Sequence, residues 1–263
     1  MVPKTRLAIT SPSMMHPQID LIIPVYNEGA NILATLGALA REVRTPARVL
    51  ICHDTEDDDT LPVVRNNPDV YAGLDIVFVR NPGRGAHAAV LAGFAASTAS
   101  IVVVYPADDD FNAGIIDRMA ALLREGCDVV CASRFMPGGT MQGCPWLKSA
   151  LVRTAAFTLH YIAGVPARDP TSGFRMFSRR VIEQIDIESD QGFCYSIELL
   201  VKAHRLGWRI GEVPALWFER RYGSSRFRVL KWLPAYLRWY RYAFATTLLR
   251  RSPSTVVLRT QRT

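Results

Sequence analysis

No uninterrupted apolar stretch of about 18 residues occurs in this 263-residue chain, so the sequence offers no membrane span. Residues 1–17 lack an apolar core of signal-peptide length and read as a flexible N-terminus, setting the expectation of a protein that is not secreted. Cysteine is scarce and odd in number: Cys52, Cys127, Cys131, Cys144 and Cys194 have no paired zinc spacing, which points to reduced thiols in a cytosolic protein. Neither an internal repeat nor a low-complexity tract is visible, so repeat arrays and disordered chains find no support. Acidic residues are outnumbered, 24 against 31 basic, and the net charge of +7 favours anionic partners. Much of the excess falls after residue 200, at Arg220, Arg221, Arg226, Arg228, Lys231, Arg238, Arg241, Arg250 and Arg251. No nucleic-acid-binding motif accompanies it, so no nucleic-acid partner is expected.

What the chain does contain is a series of short apolar runs. Asp20 to Val25, Arg48 to Cys52, Leu74 to Arg80 and Ile101 to Tyr105 each end in polar, Gly or acidic residues. Between them, Asn31 to Glu42 spaces Ile32, Leu36 and Leu39 at helical intervals, and a Gly-rich turn at 81–85 runs into an Ala-rich helix. Strands alternating with helices predict an α/β fold with a largely parallel sheet, whose ligands collect at the carboxyl ends of the strands. Further on, Asp128 to Ala132 reads as another strand, and Pro145 to Ala163 and Gly192 to Leu206 as helices.

The fourth run ends in Asp108-Asp109-Asp110. Two unit charges about 4 Å apart cost roughly 4 kcal/mol at an effective dielectric near 20, so three in a row require a cation or open water. An extended segment would send Asp108 and Asp110 to one side and Asp109 to the other. Two carboxylates on one side suit a hard divalent ion, Mg2+ or Mn2+, bridging a diphosphate; a solvated turn with a helix-capping Asp is the plainer alternative. Asp54, immediately after the second run, could accept hydrogen bonds from a base or ribose. Gly83 and Gly85 let backbone approach a phosphate, with Arg84 between them supplying charge.

In chain order the segments IIPVYNEGANI, the Asp-rich second loop, NPGRGAHAA, ADDD, ASRFMPGG and RDPTSGFRMFSR, followed by IELL and RRYGSSR, resemble the family 2 glycosyltransferases. The likeness is strongest to the polyprenyl-phosphate, dolichol-phosphate mannose synthase-like branch and runs from about Asp20 to Arg226. The resemblance implies a glycosyltransferase-A fold, a Rossmann-like αβα sandwich around a mixed central sheet. It would hold a nucleotide-sugar half at about 18–112 and an acceptor half at about 113–226, with an amphipathic tail at 227–263. Position by position, Pro24, Tyr26 and Glu28 match residues lining the nucleotide pocket, Asp54 an acid that contacts the base, and Arg84 a basic residue near the diphosphate. Asp108 matches the last acid of a metal-binding Asp-x-Asp, and Asp110 falls where a further ligand is found. Ser133, Arg134, Arg220, Ser225 and Arg226 match positions suited to an acceptor phosphate, and Asp108, Asp110 and Arg134 become the catalytic set. The sequence departs from the family at His53, where Asp is usual, and at Pro106, which replaces the first acid of Asp-x-Asp.

The expected reaction is inverting transfer of a sugar, mannose or glucose, from GDP-mannose or a UDP-sugar to polyprenyl phosphate. A phosphate monoester is largely ionised at pH 7 and needs cations rather than a base, a role open to Arg134, Arg175, Arg220, Arg221 and Arg226. Transfer to a saccharide hydroxyl is the rival reaction, with Glu198 as base, and a catalytically inactive nucleotide-binding scaffold is a third reading. The tail from Val229 to Arg251 mixes Trp232, Tyr236, Trp239, Tyr240, Tyr242 and Phe244 with Lys231, Arg238 and Arg241, which suits a helix lying in a membrane interface. A soluble core helix with snorkelling arginines competes with that reading. The expected place is thus the cytoplasmic face of a membrane, peripherally bound, alone, as a homo-oligomer or beside a membrane-protein partner.

Overall fold

A computed structural model of the chain describes residues 18–219 and 229–259, with side chains from 233 onward in the second segment. The expectations for residues 1–17 and for Arg220, Arg221, Ser225, Arg226 and Arg228 therefore lie outside the described residues.

The first half is an alternating βα series: β1 (Ile19–Pro24), α1 (Ile32–Glu42), β2 (Ala47–His53), α2 (Thr60–Arg65), β3 (Asp75–Arg80), α3 (Ala86–Ala96), β4 (Ile101–Val104) and α4 (Ile116–Arg124). The second half adds β5 (Val129–Ser133), β6 (Thr140–Gln142), α5 (Trp146–Phe157), β7 (Arg175–Ser178), α6 (Arg179–Gln184), α7 (Cys194–Arg205), β8 (Ile210–Pro214), β9 (Leu216–Phe218) and α8 (Val229–Leu248). Seven strands form one sheet in the order β3-β2-β1-β4-β7-β5-β8, and β6 pairs with β9 in a separate two-stranded ladder. All neighbours in the large sheet run parallel except β7, which is antiparallel to both β4 and β5. A strand from the second half of the chain, β7, thus lies beside β4, and the two halves of the chain share one continuous sheet.

Side-chain alternation along the strands builds a core on each face. Ile19, Leu21 and Ile23 of β1 join Val49, Ile51 and Val103 under Ile32 and Leu36 of α1 and Met119 of α4. Ile22, Leu50, Val102, Val104 and Phe177 turn the other way, under Val90 and Phe94 of α3, Leu199 of α7 and Trp239 of α8. Helix α3 lies so close to the sheet that a Cβ on Gly93 would sit 2.5 Å from Ile22 Cγ2 and 3.0 Å from Cys52 Sγ. Asp20, buried at the start of β1, is satisfied by Arg48, Ser97 and the Thr98 and Ala99 amides. Burial opposes its charge, yet those hydrogen bonds hold its carboxyl below the ordinary range.

Two expectations gain detail. The helix expected from Pro145 to Ala163 is α-helical only to Phe157 and finishes in a π-helical turn, Thr158–Ile162. The tail is helical as expected but packs against the core: Trp239 and Ala243 are fully buried, while Leu233, Leu237 and Leu248 stay exposed. Among the described residues, no helix is long and apolar enough to cross a membrane.

A cleft at the carboxyl ends of the strands

The ends of β1, β2, β4 and β5 open into one cleft of about 590 Å³. Its first end is polar and backbone-rich. Pro24, Tyr26 and Glu28 line it from the β1 turn, where Asn27 has a left-handed φ of 53°. Two acids of the second loop and the threonine that follows hold that turn: Asp58 accepts the Asn27 amide, Asp59 the Gly29 amide and Thr60 the Glu28 amide. Asp58 and Asp59 are therefore scaffold, Glu56 and Asp57 are exposed, and Asp54 is the acid of this loop that reaches the wall. Its two oxygens accept Asn81 Nδ2 at 2.8 Å and the Gly85 amide at 2.7 Å, while Asn81 Oδ1 accepts the Gly83 amide. Asp54 and Asn81 thereby fix the glycine turn, and Gly85, at φ 86°, holds a conformation that side chains rarely adopt. Gly85 and Ala86 bring the N-terminus of α3 to the cleft wall. Gly83 and Arg84 line a shallower depression outside it, shared with Asp54, Arg80 and Asn81. His53 is buried and bonded to the Thr55 carbonyl, off the wall.

The acidic triplet does not continue β4, which ends at Val104, so the alternation expected of an extended segment is replaced by a turn. Asp108 lines the cleft beside Pro106; Asp110 is not part of the wall. Asp109 turns inward and accepts the Phe111 and Asn112 amides and Asn112 Nδ2. Burial, with Asp108's charge adding to it, raises the Asp109 carboxyl above its usual range despite those bonds. Asn112 in turn exchanges two 2.8 Å hydrogen bonds with the backbone of Leu216, tying the acid loop to β9. The charge crowding is thus relieved by giving Asp109 three donors, while all three acids are half-buried and Asp109, like Asp108, lines the cleft. Sequence reasoning missed Asn112, whose role depends on a residue 104 positions away.

A hard divalent ion takes oxygen ligands, and Mg2+ in particular is commonly bound by one or two carboxylates, with phosphates and water completing its shell. Asp108 fits that requirement as a carboxylate in the wall, with Asp109 lining it next to Asp108. Among the described residues no group of three or more His, Cys, Asp or Glu side chains could hold a metal unaided, so oxygens of a bound ligand or of water would have to complete the shell.

The second end of the cleft is largely apolar, with Met141, Val152, Phe193, Leu216, Trp217, Phe218 and Tyr236 in its wall. Two cations reach it. Arg134, following β5, is gripped by the fully buried Asp169: Nε and the amide donate to one carboxylate oxygen at 2.6 and 3.0 Å, and Nη2 donates to the other at 2.9 Å. Thr171 accepts a further Arg134 bond and donates to Asp169. Burial resists ionisation of Asp169, yet the adjacent guanidinium and these bonds keep its carboxyl below the ordinary range. The other cation, Lys148 of α5, lies with Nζ 5.2 Å from the centre of the Trp217 ring. Sequence reasoning also missed Lys148; its i,i+4 spacing to Val152 on a predicted helix was the available signal.

Three expected site residues stand elsewhere. Ser133 is fully buried behind Arg134, off the wall. Arg175 is buried too and donates to Ser196, the Pro170 carbonyl and Cys131 Sγ, so it serves the core, not an acceptor. Glu198 is buried and paired with Lys202 at 2.7 Å, and also accepts the Glu188 and Ser189 amides. It is committed to structure and cannot reach a hydroxyl acceptor.

Sheet order, cleft position and the split into a polar and an apolar end define a glycosyltransferase-A fold. The chain superposes on glucosyl-3-phosphoglycerate synthase from Mycobacterium tuberculosis, in a complex with Mn2+, UDP and glucosyl-3-phosphoglycerate, with a TM-score of 0.61. Identity is 21%, with 89% of this chain and 80% of that one covered. A complex of the same enzyme with Mn2+, UDP-glucose and phosphoglyceric acid gives 0.61 at 20% identity, over 89% of this chain and 79% of that one. The Glycosyl transferase family 2 model matches residues 20–186, and the chain belongs to that family. It is 30% identical over 229 residues to a polyprenol monophosphomannose synthase of Mycolicibacterium smegmatis, with 81% of this chain and 85% of that protein covered. An uncharacterised glycosyltransferase of Mycobacterium bovis is 29% identical over 215 residues, covering 81% and 91%.

Proposed function

We propose that this glycosyltransferase moves mannose or glucose from a nucleoside-diphosphate sugar, GDP-mannose or a UDP-sugar, to polyprenyl phosphate at the cytoplasmic face of a membrane, with inversion. The observation that carries the reading is the division of one cleft into a carboxylate- and amide-lined end and an apolar end entered by Lys148 and Arg134. The relative from M. smegmatis, named as a polyprenol monophosphomannose synthase, supports it.

The nucleotide would occupy the wall of Pro24, Tyr26, Glu28 and Asp54, with its diphosphate toward Gly85 at the N-terminus of α3, where backbone amides and the helix dipole favour anions. Arg84, on the adjoining depression, adds charge of the same sign. Asp108, with Asp110 nearby in sequence, would hold a Mg2+ or Mn2+ ion, which when bound neutralises charge on the leaving diphosphate. The acceptor phosphate, with a second pKa near 6, is already nucleophilic at pH 7. Lys148 and Arg134 orient it, Asp169 fixing the Arg134 fork; Arg220, Ser225 and Arg226, outside the described residues, complete the acceptor set in this reading. A phosphate oxygen attacks the anomeric carbon as the bond to the diphosphate oxygen breaks, so an α-linked donor gives a β-linked lipid phosphate sugar.

The test is incubation of membranes containing the protein with radiolabelled nucleotide sugars and either polyprenyl phosphate or the matching polyprenol. Label in organic extract is expected with the phosphate alone. One observation favours a second reading: Glu219 lines the apolar end and could act as base toward a saccharide hydroxyl, replacing Glu198 in that role. Label appearing in a saccharide product, and lost in Glu219→Gln, would establish it instead.

A further inference from the structure

Helix α5 carries large apolar side chains on the surface. Trp146 is 80% exposed and Tyr161, in the π-helical turn that follows, 66%; Leu147, Leu151, Phe157 and Ile162 are each near or above half exposure. A contiguous exposed set of this size is unusual for a surface that meets only water. Leu147 and Leu151 are one turn apart, and the next positions, Lys148 and Val152, line the cleft. The same helix therefore shows one face to the acceptor end of the cleft and an adjoining face to the outside.

Helix α8 runs alongside. Thr158 and Tyr240 share a 2.6 Å hydroxyl contact, and Thr247 donates to the Ala163 carbonyl, so the pairings follow the same order along both segments. While α8 turns Trp239 and Ala243 inward, it leaves Leu233, Leu237 and Leu248 exposed. Charge on both segments has one sign. Residues 145–167 contain Lys148 and Arg153 and no Asp or Glu; residues 229–251 contain Lys231, Arg238, Arg241, Arg250 and Arg251 and again no acid. Arg238 is paired with Glu188 at 2.6 Å; the other basic residues of the two segments, beside exposed apolar side chains, complement an anionic lipid surface.

We propose that the outer faces of α5 and α8 form one docking surface for an anionic bilayer, with α5 as the sill over which the acceptor's lipid chain passes into the cleft. The docking surface stands on its own; the sill depends on the polyprenyl-phosphate reading. This places the principal membrane contact in the middle of the catalytic domain, ahead of the tail. Deleting the tail would test it poorly, since Trp239 is part of the core.

The experiment is co-sedimentation of the full chain with phosphatidylcholine vesicles, with and without phosphatidylglycerol, for wild type, Leu147→Glu/Leu151→Glu and Phe157→Glu/Tyr161→Glu. None of the four residues lines the cleft. Wild type should bind the anionic vesicles and release in high salt, and each double variant should bind at least about tenfold more weakly. Transfer to a short-chain, water-soluble acceptor phosphate should be retained, showing that the variants are folded. Variants that sediment like wild type overturn the proposal. So does a lipid-free wild type that is dimeric while the variants are monomeric, which would assign the face to a second copy of the chain. Should no polyprenyl phosphate be glycosylated while vesicle binding behaves as described, the functional reading fails and the docking surface stands.

Discussion

Replacing Asp169 by Asn isolates the contact on which the acceptor end is built. Asp169 is fully buried and accepts three hydrogen bonds from Arg134 and one from Thr171. Arg134 is itself only 13% exposed in its side chain, so solvent cannot substitute for the lost carboxylate charge. Breaking one side of a buried pair typically costs about 3–5 kcal/mol. An asparagine can still accept some of these bonds, which favours the lower figure. About 3 kcal/mol corresponds to a fall in melting temperature of roughly 6 to 12 °C for a domain of this size. The pH dependence supplies a second readout. Because the folded-state pKa of Asp169 is depressed, its contribution to stability is present above the unfolded pKa and lost as pH falls through the folded one. The stability gap between wild type and Asp169→Asn should therefore be constant above about pH 5 and narrow as pH falls below about 4. In assays of the folded variant, KM for the acceptor should rise more than KM for the nucleotide sugar. Urea melts at pH 7 within about 1 kcal/mol of wild type, together with an unchanged acceptor KM, would refute the reasoning.

Gly93→Ala should lower stability by about 1–3 kcal/mol in denaturant melts, because the new methyl overlaps Ile22 and Cys52 where α3 meets the sheet. Lys148→Met, which keeps length and removes charge, should raise the acceptor KM about tenfold or more while hydrolysis of the donor in the absence of acceptor is unchanged. Glu198→Gln should reduce stability by breaking a buried pair with Lys202, with the activity of the folded fraction retained; abolished chemistry in a fully stable variant would return Glu198 to the site. Asn112→Ala should lower kcat and loosen β9, read as faster amide exchange at Leu216.

The parts of this molecule that could be read from sequence are those set by local pattern. The four apolar runs became β1 to β4 with each end displaced by at most one residue, because a buried strand needs a continuous apolar stretch. Strand β7 was not read: it is four residues long, starts with a buried arginine and lies beside strands distant in sequence. The site divides in the same way. Pro24, Tyr26, Glu28, Asp54, Gly85 and Asp108 follow strands directly, so chain order alone brought them to one edge. The fates of Arg134, Arg175 and Glu198 depended on partners such as Asp169, Ser196 and Lys202, and charge type alone could not separate a phosphate ligand from a buried ion pair. Inside the acidic triplet, the hydrogen bonding of Asp109 was set by Asn112 and, through it, β9.

The central claim is that the acceptor attacks as a phosphate, in line, from the end of the cleft that holds Lys148 and Arg134. Supplying an α-linked nucleotide sugar labelled with carbon-13 at the anomeric carbon, together with polyprenyl phosphate, and recording the NMR spectrum of the extracted lipid tests it directly. A β-configured anomeric carbon coupled to phosphorus is the predicted result. An α-configured product, or a labelled sugar with no phosphorus coupling, would contradict the account.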